Sequence, residues 1–392
     1  MEGLTLSKIF CSMTTVILFM LSISSYASAE ETTVQLVEDA KSGILIERDT
    51  GNILYEKNAH ERLPPASMTK IMTMLLIMEA IDKGTVTLDE KIRTSEYAAS
   101  MGGSQIFLSP GEEMTVQEML KGIAIGSGND ASVAMAERIA GSEEAFVAMM
   151  NNKAKQLKLE NTVFQNSTGL PANEHFSTSY DMAIIAKELL KYEEITKYTG
   201  KYDDYLRENT DKKFWLVNTN KLVKFYEGVD GVKTGYTSEA KYCLTATAKK
   251  NDMRVIAVVF GAPTSKSRNA QVSKMLDYAF AHYETMPKYK RNELVSTAKI
   301  NKGMKEEVDV VTTEPISLLM KKGESQDNVT EEVILKDKII APVKKGDQLG
   351  TIILKKDNEV LIKSDLIASE DVKAANLWQL MKRSVEMMTK TQ

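Results

Sequence analysis

The feature that most constrains the fold is the order of strand-like and helix-like segments. A strand-turn-strand pattern lies at 43–55, and two β-rich apolar segments lie at 242–249 and 254–260, after a short strand-like segment at 231–235. Five segments between them have the pattern of helices, and a further helix is predicted after the last strand. These six are 68–83, 115–125, 131–139, 143–157, 181–191 and 267–283. Strands at both ends of a region with helices between them predict an α+β fold in which helices cover an antiparallel sheet.

The composition changes near residue 286, and this change predicts a second domain. Residues 288–370 are rich in lysine and glutamate and contain short β-like runs separated by turn residues. The sequence therefore predicts a first domain at 30–284 and a small all-β domain at 285–370. No arrangement of residues in the second domain indicates catalysis.

The last segment, 371–392, is predicted to be one amphipathic helix that begins at Val372. Its apolar residues recur at spacings of three and four, namely Ala374, Leu377, Trp378, Met381, Val385 and Met388. Residues 372–392 carry a net charge of +3 within an acidic chain. A basic amphipathic helix with a tryptophan can lie in a membrane interface. The alternative is that its apolar face packs on the protein itself.

The first 29 residues have the pattern of a secretory signal peptide. Lys8 precedes an apolar stretch that includes Val16–Leu21, and the small residues Ala27-Ser28-Ala29 form a cleavage site. The alternative is an uncleaved membrane anchor, but the apolar stretch is short and is interrupted by serine and threonine. We expect cleavage after Ala29 and an exported mature protein.

Charge and composition exclude several classes of protein. The 50 basic and 54 acidic residues leave a net charge of −4, so nucleic-acid binding driven by bulk charge is not expected. The two cysteines and three histidines have no metal-ligand spacing, so we predict neither a metal site nor a cofactor. Cys11 would leave with the signal peptide, and Cys243 is predicted to be a buried core thiol.

Three short motifs carry the chemistry. They are Ser67-Met68-Thr69-Lys70, Ser127-Gly128-Asn129 and Lys233-Thr234-Gly235, and their first residues are separated by 60 and 106 positions. Each motif alone is common in a chain of this length. Their order and their context are informative, because the first opens a long apolar helix, the second lies between helices and the third precedes a pair of strands.

The first motif has the properties of a nucleophile beside its base. The Ser67 hydroxyl would lie at a helix N-terminus, where free backbone N–H groups favour a developing negative charge. Lys70 follows one helical turn later on the same face, so its amine can reach the hydroxyl. A lysine is a base only if its pKa falls, and burial together with a second cation such as Lys233 lowers it.

The other two motifs predict substrate contacts and proton transfer. Ser127 can relay a proton, and the Asn129 amide can both donate to and accept from a substrate amide. On a strand edge, Gly235 would let a substrate backbone approach closely, while Lys233 and Thr234 would hold a carboxylate.

With these motifs the sequence resembles the D-alanyl-D-alanine carboxypeptidases, the low-molecular-mass penicillin-binding proteins. The resemblance extends to the segments 65–73, 166–171 and 228–237 and covers nearly the whole mature chain. It implies a penicillin-recognising serine transpeptidase/β-lactamase-like domain. It also implies removal of the terminal D-alanine from peptidoglycan stem peptides that end in D-Ala-D-Ala, with a role in cell-wall biogenesis and cell shape.

The resemblance also implies roles for single residues. Ser67 would form an acyl-enzyme with Lys70 as the base, and Ser127 would pass a proton to the leaving amine. The oxyanion hole would come from the backbone N–H groups of Ser67 and Tyr236, and Arg268 would assist recognition of the terminal carboxylate. The family further implies inhibition by β-lactams and a peripheral location on the outer face of the cytoplasmic membrane, held by the C-terminal helix.

Two alternatives share these motifs. A β-lactamase of class A would use a glutamate in a Glu-x-x-Leu-Asn string to activate the deacylating water, and no such string lies between Asn129 and Lys233. A non-catalytic penicillin-binding sensor would keep the fold but is expected to lose a catalytic residue, and all of them are present.

Overall fold

The computed structural model describes residues 34–324, 327–357 and 359–382. The predicted signal peptide lies outside these residues. A short N-terminal segment, described only at Val34 and Gln35, has no regular secondary structure, and the body of the protein begins at Leu36.

The first domain is built around a five-stranded sheet in the order β2-β1-β9-β8-β7, in which every neighbouring pair is antiparallel. The strands of this domain are β1 (Ser42–Glu47), β2 (Ile53–Lys57), β3 (Lys91–Arg93), β4 (Glu113–Thr115), β5 (Asp203–Leu206), β6 (Phe214–Val217), β7 (Val229–Thr237), β8 (Lys241–Lys250) and β9 (Met253–Ala262). Strand β3 pairs with β4, and β5 pairs with β6. Each pair is a separate antiparallel two-stranded sheet.

Helices cover the sheet on both faces. They are α1 (Lys70–Asp82), α2 (Glu96–Ala99), α3 (Val116–Ala124), α4 (Asn129–Ala140), α5 (Glu143–Gln156), α6 (Ser179–Leu189), α7 (Thr196–Thr199), α8 (Leu222–Phe225) and α9 (Ser265–His282), with two 3-10 turns at Ala66–Thr69 and Glu193–Ile195. The predicted antiparallel sheet covered by helices is confirmed, and the six predicted helices are observed with shifts of a few residues at their ends.

Alternation along the central strand β9 shows how both faces are buried. Ile256, Val258 and Phe260 belong to the core shared with α1, whereas Val255 and Val259 belong to the core under α9. A strand that is apolar on both faces stabilises the sheet only if two layers cover it. Strand β7 lies at one edge of this sheet, which leaves that edge available to the active-site elements.

Side-chain caps fix where the helices beside the site begin. The Thr115 hydroxyl accepts from the Glu118 N–H and the Glu118 carboxylate accepts from the Thr115 N–H, which is a capping box at the start of α3. The predicted cap of α5 is confirmed, because the Ser142 hydroxyl accepts from the Ala145 N–H.

The second domain is built of strands, as predicted. Its largest sheet has the order β14-β16-β17-β12-β11-β15, and a two-stranded ribbon pairs β10 with β13. The strands are β10 (Tyr283–Tyr289), β11 (Leu294–Asn301), β12 (Glu307–Thr312), β13 (Ile316–Lys321), β14 (Val329–Leu335), β15 (Ile339–Ile340), β16 (Gln348–Lys356) and β17 (Glu359–Ala368). Glu314 of this domain contacts Lys187 and Lys191 of α6, each at 3.4 Å.

The C-terminal helix begins later than the sequence predicts. Val372 is buried and pairs with Val343, and Ala374 pairs with Gly303, so this part of the chain extends the β domain. The prediction of a helix from Val372 is therefore wrong at its start, because pairing with the β domain overrides the helical periodicity. Helical conformation starts at Leu377 and continues to 382, and the rest of the predicted helix lies outside the described residues.

The described part of the terminal helix does not pack its apolar residues into the protein. Leu377 is 75% exposed, Trp378 is 74% exposed and Met381 is 55% exposed. Within the described ranges, no helix is long and apolar enough to cross a membrane.

Candidate active site

Ser67, the predicted nucleophile, lies in the 3-10 turn Ala66–Thr69 that leads into α1, which is called the nucleophile turn below. The residue before it, Ala66, has a positive φ of 47°, which is unfavourable for a residue with a side chain. Gly169, at φ 84°, packs directly on this turn, and a Cβ atom there would lie 1.8 Å from the Ala66 carbonyl oxygen. Only glycine permits this approach, so the loop that contains Gly169 fixes the position of the nucleophile turn.

Lys70 is fully buried one turn after Ser67, and it brings three segments together. Its Nζ lies 3.3 Å from the Ser67 Oγ. It donates hydrogen bonds to the Asn129 Oδ1 and to the Thr168 carbonyl oxygen, each at 2.6 Å. The first contact confirms that the Lys70 amine reaches the Ser67 hydroxyl. The contact with Thr168 was not predicted from the sequence.

Burial and a neighbouring charge lower the pKa of Lys70, as the predicted role of a base requires. Burial lowers its pKa well below the usual range, the cation of Lys233 lowers it further, and the carboxylate of Asp130 opposes both effects. A neutral amine has two N–H donors and one lone pair. Asn129 and Thr168 accept the two donors, so the lone pair is left for the Ser67 hydroxyl proton.

The second motif lies between α3 and α4, and Asn129 is the first residue of α4. Ser127 is buried and has a positive φ of 62°, a strained conformation of the kind that is concentrated at functional sites. The Asn129 Nδ2 donates to the Gly102 carbonyl oxygen at 2.6 Å, which leaves its Oδ1 directed at Lys70.

Asp130 holds the loop that orients Asn129. Its buried carboxylate accepts from the backbone N–H groups of Ile106 and Leu108, at 3.0 to 3.1 Å. The same loop supplies the Gly102 carbonyl that accepts from Asn129. Asp130 is therefore a positioning residue, and its place directly after the Ser127-Gly128-Asn129 motif was the only sequence signal for it.

The third motif lies on the edge strand β7, against the nucleophile turn. A Cβ atom at Gly235 would lie 2.6 Å from the Pro65 carbonyl oxygen, so glycine is required where β7 meets this turn. Thr234 donates through its hydroxyl to the Thr219 hydroxyl at 2.7 Å. The Tyr236 side chain is 56% exposed and packs on Tyr242 with the ring centroids 4.5 Å apart.

Lys233 and Arg268 are two buried basic residues, and the charge of Arg268 acts on Lys233. Lys233 is 1% exposed, and Arg268, in the first turn of α9, is 5% exposed. Burial, and then the charge of Arg268, lowers the pKa of Lys233 to about 7, and burial lowers the pKa of Arg268 to about 10. Among the ion pairs of the described residues, neither side chain has a carboxylate partner. Two buried cations without an acidic partner are a strong site for an anion.

His175, to which the sequence analysis gives no role, packs behind the nucleophile turn. Burial lowers its pKa to about 4, so the ring is neutral at pH 7. Its Nδ1 accepts from the Gln165 N–H at 3.2 Å, which leaves Nε2 as the donor to the Thr69 hydroxyl at 2.8 Å. His175 therefore ties the loop before α6 to the turn that carries Ser67.

The structure brings the predicted site residues to one place at the edge of the sheet. Lys70 contacts Ser67 and Asn129 directly, and it is coupled to Lys233 by charge. Across 34–324, 327–357 and 359–382, no group of three or more histidine, cysteine or acidic residues could hold a metal ion. The predicted burial of Cys243 is confirmed, and burial raises the pKa of its thiol to about 11.

Comparison with known proteins identifies the family of this site. The sequence profile described as D-alanyl-D-alanine carboxypeptidase matches residues 28–264. The chain belongs to the D-alanyl-D-alanine carboxypeptidase family. It is a serine-type peptidase, so this result selects the carboxypeptidase among the alternatives that the sequence left open. A second profile, described as the C-terminal domain of penicillin-binding protein 5, matches residues 283–374.

Individual relatives agree with the family over nearly the whole chain. The D-alanyl-D-alanine carboxypeptidase DacF of Bacillus subtilis (strain 168) is 64% identical over 376 residues, which cover 96% of this chain and 97% of that protein. The solved structure of penicillin binding protein 5 from Haemophilus influenzae has a TM-score of 0.65 at 31% identity, covering 86% of this chain and 98% of that one.

A third comparison covers a smaller part of the chain. Penicillin-Binding Protein D2 from Listeria monocytogenes, solved in an ampicillin-bound form, has a TM-score of 0.55 at 30% identity. It covers 62% of this chain and 97% of that one. More than a third of this chain therefore has no counterpart in that solved chain.

Replacing Gly169 by alanine should disrupt the nucleophile turn. Because the added Cβ would overlap the Ala66 carbonyl oxygen, we expect Gly169→Ala to lower the free energy of unfolding by about 2 kcal/mol or more and to reduce labelling by a fluorescent penicillin. Gly141→Ala is the matched control, because Gly141 has nearly the same φ, 86°, with nothing within 4 Å of the added atom. Equal effects of the two substitutions on labelling would contradict the proposed contact.

Replacing Asp130 by asparagine should change the pH dependence of acylation. The Asp130 carboxylate raises the pKa of Lys70, so Asp130→Asn lowers that pKa further. Because the neutral amine is the base, the acid limb of the penicillin acylation rate should move to lower pH. Asp181→Asn removes another buried carboxylate and controls for a general loss of stability. An unshifted acid limb in Asp130→Asn would show that this carboxylate does not act on Lys70.

Proposed function

We propose that this carboxypeptidase removes the terminal D-alanine from peptidoglycan stem peptides that end in D-Ala-D-Ala, through an acyl-enzyme on Ser67. The observation that carries the proposal is the pairing of two features at one edge of the sheet. A serine lies 3.3 Å from a buried lysine amine, beside Lys233 and Arg268, two buried basic residues that have no acidic partner in the described part of the chain. The first feature suits acyl transfer, and the second suits a substrate that ends in a carboxylate.

Binding positions the scissile bond. The terminal carboxylate of the substrate would pair with Lys233 and Arg268. It would also accept from the Thr234 hydroxyl, which would then turn its proton from the Thr219 hydroxyl to the substrate. Because a bound anion stabilises the charged form of Lys233, the substrate itself would raise the lowered pKa of that group. The open edge of β7 can pair with the substrate backbone as an added strand.

The acylation step needs one base and one acid. The Ser67 Oγ attacks the carbonyl carbon of the penultimate D-alanine, and the hydroxyl proton moves to the Lys70 Nζ. By the family resemblance, the backbone N–H groups of Ser67 and Tyr236 stabilise the oxyanion. The C–N bond then breaks, and the leaving amine takes, through Ser127, the proton that Lys70 received. This releases D-alanine, leaves an ester on Ser67 and returns Lys70 to its neutral form.

Deacylation returns the enzyme to its starting state. A water molecule attacks the ester carbonyl, its proton passes to Lys70, and the Ser67 oxygen leaves as the hydroxyl. A penicillin would follow the first step only, because its strained amide opens on Ser67 while the remainder of the molecule stays attached. The carboxylate of the penicillin would occupy the same cationic site.

We propose further that the chain is exported and lies on the outer face of the cytoplasmic membrane. The signal-peptide pattern of residues 1–29 supports export. The exposure of Leu377, Trp378 and Met381 supports a peripheral contact with the membrane interface through the C-terminal helix. This location would place the active site next to the peptidoglycan. There the enzyme would affect cell-wall assembly and cell shape.

The nucleophile assignment can be tested with Ser67→Ala. The mature wild-type protein should release D-alanine from diacetyl-Lys-D-Ala-D-Ala and bind a fluorescent penicillin covalently. We expect Ser67→Ala to lower D-alanine release by at least about a thousandfold and to abolish labelling, because it removes the oxygen that would form the ester. Ser296→Ala is the control, since it alters another Ser-x-x-Lys sequence, in the β domain. Labelling that persists in Ser67→Ala would contradict the assignment.

The anchor can be tested by ending the chain after Asn376. This truncation spares Val372, which pairs with Val343 in the β domain, so the fold should be retained. We expect the truncated protein to move from the membrane fraction to the soluble fraction and to keep its penicillin labelling. If it stays with the membranes, the C-terminal helix is not the tether.

A further inference from the structure

Glu143 is a buried carboxylate that the proposed mechanism does not use. It is the first residue of α5, where free backbone N–H groups favour a negative charge. Among the residues that the structure describes, no basic side chain forms an ion pair with it. A buried carboxylate without such a partner is stable only if hydrogen-bond donors surround it. Its donors therefore show which parts of the site Glu143 holds together.

One oxygen of Glu143 holds the loop that supplies the Thr168 carbonyl. Its Oε1 accepts from the Ser167 N–H at 3.0 Å and from the Ser167 hydroxyl at 2.7 Å. The Ser167 carbonyl oxygen accepts from the Thr73 hydroxyl of α1 at 2.7 Å. Ser167 is therefore fixed between the start of α5 and the helix that carries Lys70. The next carbonyl along the chain is that of Thr168, which accepts from the Lys70 amine.

The other oxygen of Glu143 holds the helix that leads to the second acceptor of Lys70. Its Oε2 accepts from the Tyr97 hydroxyl at 2.7 Å. Tyr97 lies in α2, and the chain that leaves this short helix reaches Gly102, whose carbonyl oxygen accepts from the Asn129 Nδ2. The bond to the Glu143 carboxylate, and then burial, raises the pKa of Tyr97 to about 12, so its hydroxyl remains a donor at neutral pH.

Glu143 therefore joins the two loops that supply both acceptors of Lys70. The path through Ser167 is the shorter one, because the acceptor carbonyl belongs to the very next residue. The path on the other side passes through several residues of backbone and one side chain, so it transmits a displacement less directly. A carboxylate suits this junction because both of its oxygens accept and neither donates, which matches the donors on both sides.

We propose that Glu143 is a positioning residue, which fixes both acceptors of the Lys70 amine and thereby the direction of its lone pair. Glu143 touches neither the substrate nor the reacting atoms. The inference rests on the proposed function, in which the Lys70 lone pair takes the Ser67 proton. Because the path through Ser167 is the shorter one, the Thr168 carbonyl is the acceptor that depends most on Glu143.

The proposal predicts a specific change in the pH dependence of acylation. A carbonyl accepts a stronger hydrogen bond from an ammonium than from a neutral amine, so the Thr168 carbonyl stabilises the charged form of Lys70. Removing Glu143 releases this carbonyl, and the pKa of Lys70 then falls further. Because the neutral amine is the base, the acid limb of the penicillin acylation rate moves to lower pH. A general loss of stability does not move this limb.

Glu143→Ala tests the proposal in the mature protein, by the rate of fluorescent-penicillin acylation as a function of pH. We expect the plateau rate to fall about tenfold to a hundredfold, because a small displacement of a base is costly, and the acid limb to move to lower pH. Release of D-alanine from diacetyl-Lys-D-Ala-D-Ala should fall in parallel.

Two control variants separate position from charge. Glu143→Gln removes the charge but keeps the contacts, because its amide oxygen can accept both Ser167 bonds while its amide nitrogen donates to the Tyr97 oxygen. Its plateau rate should stay within about threefold of the wild-type rate. Glu144→Ala removes the neighbouring carboxylate, which is exposed, and should keep both the rate and the acid limb.

Tyr97→Phe tests the longer path and does not depend on whether Glu143→Ala folds. It removes one hydrogen bond from a side chain that is 49% exposed. We expect the plateau rate to fall about twofold to fivefold. Combined with Glu143→Ala, it should cause no further fall, because the acceptor of the Tyr97 hydroxyl is already gone. An unchanged rate in Tyr97→Phe would overturn the longer path.

The remaining outcomes separate this inference from the proposed function. A Glu143→Ala variant with the wild-type rate, or with a lower rate and an unmoved acid limb, would overturn the positioning of Lys70 and leave the carboxypeptidase mechanism intact. An equal loss in Glu143→Ala and Glu143→Gln would show that the charge acts and not the position. If the wild type neither reacts with the penicillin nor releases D-alanine, the proposed function fails, and the inference fails with it.

Discussion

The active site depends on the burial of the Lys70 amine. An ammonium group without a carboxylate partner is costly inside a protein, so the neutral form is favoured there. The carbonyl of Thr168 and the amide oxygen of Asn129 satisfy the two N–H groups of the neutral amine at 2.6 Å. The remaining lone pair can meet only the Ser67 hydroxyl. The burial of the Lys70 amine between Asn129 and Thr168 therefore has two effects. It lowers the pKa of the amine, and it directs the lone pair toward the Ser67 hydroxyl.

The architecture of the sheet explains why this arrangement lies where it does. Strand β9 is covered by a separate apolar core on each face. These cores fill the space around the strand, so the polar active-site residues lie elsewhere. Strand β7 forms the edge, and Gly235 allows it to approach the Pro65 carbonyl of the nucleophile turn. An edge strand with free backbone groups next to a nucleophile is suited to bind a peptide as an additional strand.

Much of the site could be predicted because its three motifs are local. The spacing of Ser67 and Lys70 is one helical turn, and this relation depends only on the geometry of a helix. Asp130, Thr168 and His175 could not be predicted in their roles, because their partners lie 10 to 106 residues away along the chain. The start of the C-terminal helix also depends on a residue that is distant in the chain. Val372 forms a β-bridge with Val343, so the helix starts at Leu377 and not at Val372.

By itself, the sequence determined the antiparallel sheet with its helical layers, the small β domain, and the serine and lysine residues that are proposed to carry out the chemistry. These depend on periodicity and on short spacings, which the covalent chain imposes directly. Only the tertiary structure decided which groups surround Lys70, and that Lys233 and Arg268 are buried without acidic partners within the described ranges. These properties depend on dielectric environment and on distances between remote segments, and both exist only once the layers have packed.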